Sequence, residues 1–145
     1  RAMISAQRPG ATSPGPVISL GWLGPADWQA VVMAADVGLL LLDDTPIQRA
    51  RCPARLPQML AWGLPLVAEA VGEAQTYIED GLTGRLVAPG DAAGCAAALL
   101  DLLADAAQRA ALSRSAAQRA PQRWDWELQA ELAERACMAA LAQRG

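Results

Sequence analysis

The chain has 145 residues, room for one core, and is 53% hydrophobic and 19% charged, which excludes a disordered chain. It holds no His, and all 12 basic residues are Arg, so a Ser-His-Asp triad, a His-ligated zinc, a P-loop lysine and a Schiff-base lysine are excluded within it. A net charge of −3 argues against a general grip on nucleic acid and leaves room for a local anion site.

Residues 1–16 are punctuated by Pro, Gly and Ser and read as a remnant or linker, with a helix remnant over residues 2–7. Residues 17–20 (Val-Ile-Ser-Leu), closed by Gly21, read as a buried strand. Gly24-Pro25 opens a helix whose apolar face is Trp28, Val31, Val32 and Ala35. The unbroken apolar run 37–42 predicts a strand buried on both faces, as in a parallel sheet. Residues 43–52 have no period and read as a loop. Pro53 then starts a helix with Leu56, Met59, Leu60 and Gly63 along one face, and residues 64–68 form a third strand that ends near Glu69. A short helix over 73–78 leads through Asp80-Gly81 to a fourth strand at 85–87. Pro89-Gly90 is a turn that delivers Asp91 as a helix N-cap. Helices follow over 92–104, 106–120 and from Trp124 to about Gln143, with Leu128, Leu132 and Ala136 as a buried stripe on the last. Strands alternating with helices make the class α/β, a Rossmann-like parallel sheet with flanking helices: an α/β core over 17–90 and C-terminal helices over 91–145. Right-handed crossovers line the strand C-terminal ends along one edge, where ligands bind in open α/β sheets.

Cys52, Cys95 and Cys137 are odd in number and never spaced C-x-x-C, so they read as reduced thiols of a cytoplasmic protein. No apolar run reaches the ~18 residues of a membrane span. The chain begins with Arg rather than Met and reads as a piece of something longer. Asp43-Asp44 at a strand end suits neither a receiver domain, which needs a lysine this chain lacks, nor a metal site, which needs more converging carboxylates. It reads as a polar strand exit. Gly21-Trp22-Leu23-Gly24 does not supply the Gly-x-Gly-x-x-Gly of a nicotinamide-binding domain.

In order, Val-Ile-Ser-Leu-Gly-Trp-Leu, Ala-Ala-Asp-Val-Gly-Leu-Leu-Leu-Leu, Arg-Leu-Pro-Gln-Met-Leu-Ala-Trp-Gly-Leu-Pro-Leu-Val-Ala and Tyr-Ile-Glu-Asp-Gly-Leu-Thr-Gly-Arg-Leu-Val-Ala-Pro-Gly-Asp resemble the C-terminal half of a group 1 glycosyltransferase of GT-B architecture. The motifs cover about residues 17–105. The resemblance implies the donor-binding half of an enzyme that moves a sugar from a nucleotide-diphosphate sugar to an acceptor. The donor is a substrate, and neither cofactor nor metal is expected. The family's pair of acids separated by seven residues is absent: its positions are Ala50 and Gln58. Gln58 can still donate to and accept from ribose hydroxyls, but it supplies no charge.

Some members carry Arg-x-x-Cys-x-x-Lys-Leu, and Arg51-Cys52-Pro53-Ala54-Arg55-Leu56 resembles its Cys-x-x-Lys-Leu part with Arg in place of Lys. Guanidinium forks beside a helix N-terminus suit a diphosphate, so Arg51 and Arg55 are the expected diphosphate ligands, with Arg49 a solvated control. Backbone around Gly21, Trp22 and Leu23 is expected near the base. No residue is singled out as catalytic. Trp124 and Trp126 flank Asp125 near the last helix and read first as packing residues.

The resemblance further implies two strands ahead of residues 17–20, and the chain is expected to start after them. That makes it a fragment lacking the N-terminal acceptor domain, or an assembly in which another segment or a second copy covers an open sheet edge. The missing acids favour an alternative, a non-catalytic nucleotide-sugar-binding or interaction module on the same fold.

Overall fold

Two parallel sheets form in the computed structural model, which describes residues 3–4, 17–18 and 20–143. They belong to separate compact units, Arg1–Ala34 and Ala35–Gly145. In the first unit, β1 (Met3–Ile4) lies parallel to β2 (Val17–Ile18), with Met3 opposite Val17 and Ile4 opposite Ile18. Met3–Ile4 is therefore strand where a helix remnant is expected, and a strand does precede β2 within this chain. The rest of residues 1–16 lies outside the described residues. Helix α1 (Pro25–Ala34) starts on its proline, and Val32 is its buried residue.

The second unit is built on β3 (Gly38–Leu40), β4 (Leu66–Glu69) and β5 (Gly84–Val87), all parallel in the order β3-β4-β5. Only the middle strand β4 is buried along its whole length. The run 37–42 departs from its expected two-sided burial: Leu41 is 60% exposed, and Leu42 is buried. The reason is position, since β3 is an edge of this sheet and its neighbour on one side is β4. Burial along that run therefore depends on what covers the edge, not on the hydrophobicity of the run.

Between β3 and β4 the chain makes two helices, α2 (Pro46–Arg49) and α3 (Arg55–Ala61). The first falls in what reads as an aperiodic loop. Thr45 Oγ1 accepts from Gln48 N at 3.3 Å and Pro46 is at the first helical position, so Thr-Pro-Ile-Gln is a capping signature too short to show a period. The next helix begins at Arg55 rather than Pro53, because residues 52–54 make a turn with Ala54 N bonded to Cys52 O. At its end Gly63 N bonds Leu60 O and Leu64 N bonds Met59 O, a Schellman closure with Gly63 at φ 75°. A Cβ on Gly63 would lie 3.0 Å from Ser113 Oγ, so the glycine both ends the helix and lets it lie close to a later one.

Helix α4 (Ala74–Tyr77) links β4 to β5. The remaining helices are α5 (Ala92–Ala104), α6 (Ala106–Trp124) and α7 (Trp126–Ala142). Aspartates cap all three: Asp91 accepts from Gly94 N, Asp105 from Gln108 N, and Asp125 from Glu127 N and Leu128 N. The break between the last two helices falls at Asp125, so α6 runs on through Pro121 where an end at Ala120 is expected. The core of this unit gathers Val67, Cys95, Ala98, Leu102 and Leu112, with Val37 and Val87 packed against it. No residue of α7 is buried, which corrects the expected stripe. Leu128 and Leu132 are exposed and line an open groove with Glu79, Arg119 and Arg123.

Candidate functional site

The C-terminal ends of β3, β4 and β5 lie along one edge of the parallel sheet, and on that edge lies the arginine loop, residues 43–55, which carries Arg49, Arg51 and Arg55. Its placement rests on two contacts. Gly72, in the turn after β4, has φ 51°, and a Cβ there would sit 2.6 Å from the carbonyl oxygen of Arg49 and 2.8 Å from its Cα. The absence of a side chain thus lets the end of α2 rest on the β4–α4 turn. Three residues on from Arg49, Cys52 Sγ lies 3.3 Å from Tyr77 Oη on α4, a hydrogen bond that either group can donate.

Arg51 and Arg55 are both exposed, and Arg51 Nη1 donates to Gln48 Oε1 at 3.5 Å. Gln58 is exposed on α3, one turn beyond Arg55. Ala50 is the C-cap of α2. Arg49 is solvent-exposed, as expected, and is also paired. Its Nε and Nη2 hold the two carboxylate oxygens of Asp44 at 2.5 and 2.8 Å, a bidentate pair. The hydrogen bond to Arg49 keeps the Asp44 carboxyl below its ordinary range, and the same bond raises the guanidinium. Both partners are exposed, so the pair shapes the loop more than it stabilises the fold. In the first unit, Gly21 takes φ 62°, Leu23 is half-buried and Trp22 is 96% exposed.

Two residues of this edge escape a reading of the sequence alone. Glu69, at the end of β4, is only 8% exposed; its Oε2 accepts from Leu42 N at 2.6 Å and its Oε1 from Gly90 N at 2.8 Å. The one available signal is an acid closing an otherwise apolar strand. Nearby, burial pushes the Cys95 thiol up, and the carboxylates of Glu69 and Asp91 add to the shift. The second residue is Tyr77, whose ring meets Trp124 at 4.6 Å between centroids, with the Arg123 guanidinium 5.0 Å over the same indole. Trp124 is thus a packing residue, as expected, and its partner lies beside the arginine loop, whereas Trp126 is 84% exposed and departs from that reading.

The hydrogen bond to Cys52, with some burial, pushes the Tyr77 phenol up to about 12 from an ordinary 10.0. The fold favours the neutral phenol, so this contribution to stability is complete below pH 10 and is lost as the pH rises through 12. Tyr77 is the sole tyrosine of the sequence, so the ultraviolet titration of tyrosinate reads this site alone. A midpoint near 12 is expected, moving back toward 10 in Cys52→Ala. An unchanged midpoint in that variant would place the cause elsewhere.

Residues 3–105 match the family model for glycosyl transferases group 1. The chain belongs to this family. The match begins at Met3 rather than near Val17, in keeping with β1 being a strand that pairs with β2. Solved structures share the fold of this group 1 member. Sucrose-phosphate synthase from Thermosynechococcus elongatus is 29% identical with a TM-score of 0.68, over 86% of this chain and 31% of its own. HepE from Anabaena, in complex with UDP-glucose, is 24% identical with a TM-score of 0.70, over 86% of this chain and 33% of its own. A further HepE structure, with UDP and glucose, gives a TM-score of 0.72 at 24% identity, over the same 86% and 33%. The chain therefore spans about a third of the length of these proteins. No curated protein matches the sequence. Among the described residues of this family member, no group of three or more His, Cys, Asp or Glu could hold a metal ion, and no helix is long and apolar enough to cross a membrane.

Proposed function

We propose that the chain is the C-terminal, donor-binding part of a GT-B glycosyltransferase, holding a nucleotide-diphosphate sugar whose sugar passes to an acceptor carried by a further domain. The observation that carries this is the group 1 match over residues 3–105, on a fold shared with HepE, which is solved with UDP-glucose and with UDP. It favours a transferase over a module that only binds. Arg51 and Arg55 are assigned to the diphosphate, where two guanidinium groups offset the charge of the leaving nucleotide without a metal ion. Gln58 is assigned to ribose or sugar hydroxyls through its amide, in place of the family's carboxylate. Proximity of donor and acceptor supplies much of the rate in such a cleft, so the 145-residue chain by itself transfers no sugar in this reading. The free side of β3 in the order β3-β4-β5 is a place for another segment of the protein or a second copy to cover. We place the enzyme in the bacterial cytoplasm, where thiols such as Cys52, Cys95 and Cys137 stay reduced.

Titration of the chain with UDP and GDP tests the assignment. Each charge-assisted contact to phosphate is worth about 1.5–3 kcal/mol, so Arg55→Ala should weaken the better-bound diphosphate roughly 10-fold to 100-fold. Binding of the bare nucleoside should hardly change, because the lost contact is to phosphate. A parent chain that binds neither diphosphate, or Arg51→Ala and Arg55→Ala variants that bind like the parent, would refute the donor site.

A further inference from the structure

One buried carboxylate joins the two strand exits that flank the middle strand. Glu69 ends β4; Leu42 ends the run that leaves β3, and Gly90 lies in the turn that leaves β5. A strand needs no acid at its end, and burying one is costly unless it is fully hydrogen-bonded. A carboxylate is the side chain here with two acceptor oxygens and no donor, so it can satisfy two amide N–H groups that approach from opposite sides. The residues that follow Leu42 are Asp43 and Asp44, and Asp44 holds Arg49. Gly72, three residues past Glu69, carries the backbone of Arg49. Thus Glu69 anchors the root of the arginine loop, while the turn that follows it supports the loop's far side.

We propose that Glu69 is a positioning residue for the donor site: it sets the arginine loop against the β5 exit so that Arg51 and Arg55 meet a diphosphate together. This rests on the donor-site reading above. Its chemistry requires acceptance at both oxygens, so the isosteric amide is the incisive substitution. In Glu69→Gln the carbonyl oxygen keeps one amide and the side-chain NH2 group confronts the other.

Hydrogen exchange and nucleotide titration on the full chain test the proposal. Glu69→Gln should speed exchange of the Leu42 or Gly90 amide about 10-fold or more, as one charge-assisted bond is lost. It should also weaken UDP or GDP binding about 10-fold and leave the bare nucleoside unaffected. Combined with Arg55→Ala, the loss should be less than the product of the two, since both act on one contact. Faster exchange with parental diphosphate affinity would make Glu69 a purely structural residue and overturn the proposal. If the variant does not fold, the parent decides: slow exchange at both amides, with both resonances moving on saturation with UDP or GDP, supports it. Unprotected Leu42 and Gly90 amides, or resonances that do not move, overturn it. A parent that binds neither diphosphate while both amides stay protected removes the donor reading, and with it the role toward phosphate, but leaves the bridge itself observed.

Discussion

Leu102→Ala should lower the free energy of unfolding by about 2–5 kcal/mol, the range for removing a buried leucine side chain. Leu102 has no exposed surface and lies on α5 among Val67 of β4, Cys95 and Ala98 of its own helix, and Leu112 of α6. It is therefore the contact at which the central strand and two helices meet. Ala98 offers no side chain long enough to refill the space, and Val67 is held by pairing on both sides of β4. The surroundings can relax little, which puts the cost in the upper part of that range. Two residues earlier on the same helix, Leu100 is 65% exposed, and Leu100→Ala should stay within about 0.5 kcal/mol of the parent. Urea unfolding of both variants measures the difference, with unchanged m-values showing that the effect is on stability. Equal midpoints would mean that α5 does not face the sheet as described.

Gly72→Ala should be similarly costly, for a reason that belongs to the arginine loop. At φ 51° an alanine is disfavoured by about 1–2 kcal/mol. Its Cβ would also press on the Arg49 carbonyl and Cα, both backbone atoms, so no rotamer can relieve the contact. Overpacking of this sort adds about 1–3 kcal/mol, for a total of roughly 2–5 kcal/mol unless the loop moves away. Gly81→Ala separates the two contributions. Gly81 has φ 74° with nothing within 4 Å of a Cβ, so its alanine variant carries the conformational cost alone. If the loop does move, the Cys52–Tyr77 contact goes with it, and the Tyr77 titration should fall back toward 10 in Gly72→Ala while staying put in Gly81→Ala. Identical effects of the two substitutions would show that the loop does not rest on Gly72.

Local chemistry determined much of this protein before any contact between distant residues is considered. Asp91 after Pro89-Gly90 caps α5, and Trp62-Gly63-Leu64 closes α3. Residues 66–69 run as strand between them, because capping, left-handed glycine and apolar runs act within a few residues. The order of those signals also carried the family, since its motifs sit at just these turns and helix ends. The tertiary structure decided what depends on neighbours far along the chain. The apolar run at 37–42 reads like the one at 66–69, yet only the latter lies between two strands, so only it is buried throughout. The stripe Leu128, Leu132 and Ala136 has helical spacing, but spacing says which residues share a face and not whether anything packs on it. Met3–Ile4 is too short for a period to declare it a strand, and pairing with Val17–Ile18 makes it one. Glu69 reaching Leu42 and Gly90, and Cys52 meeting Tyr77, span 21 to 27 positions. Such separations carry no local signal, because a hydrogen bond requires only that the fold bring donor and acceptor together.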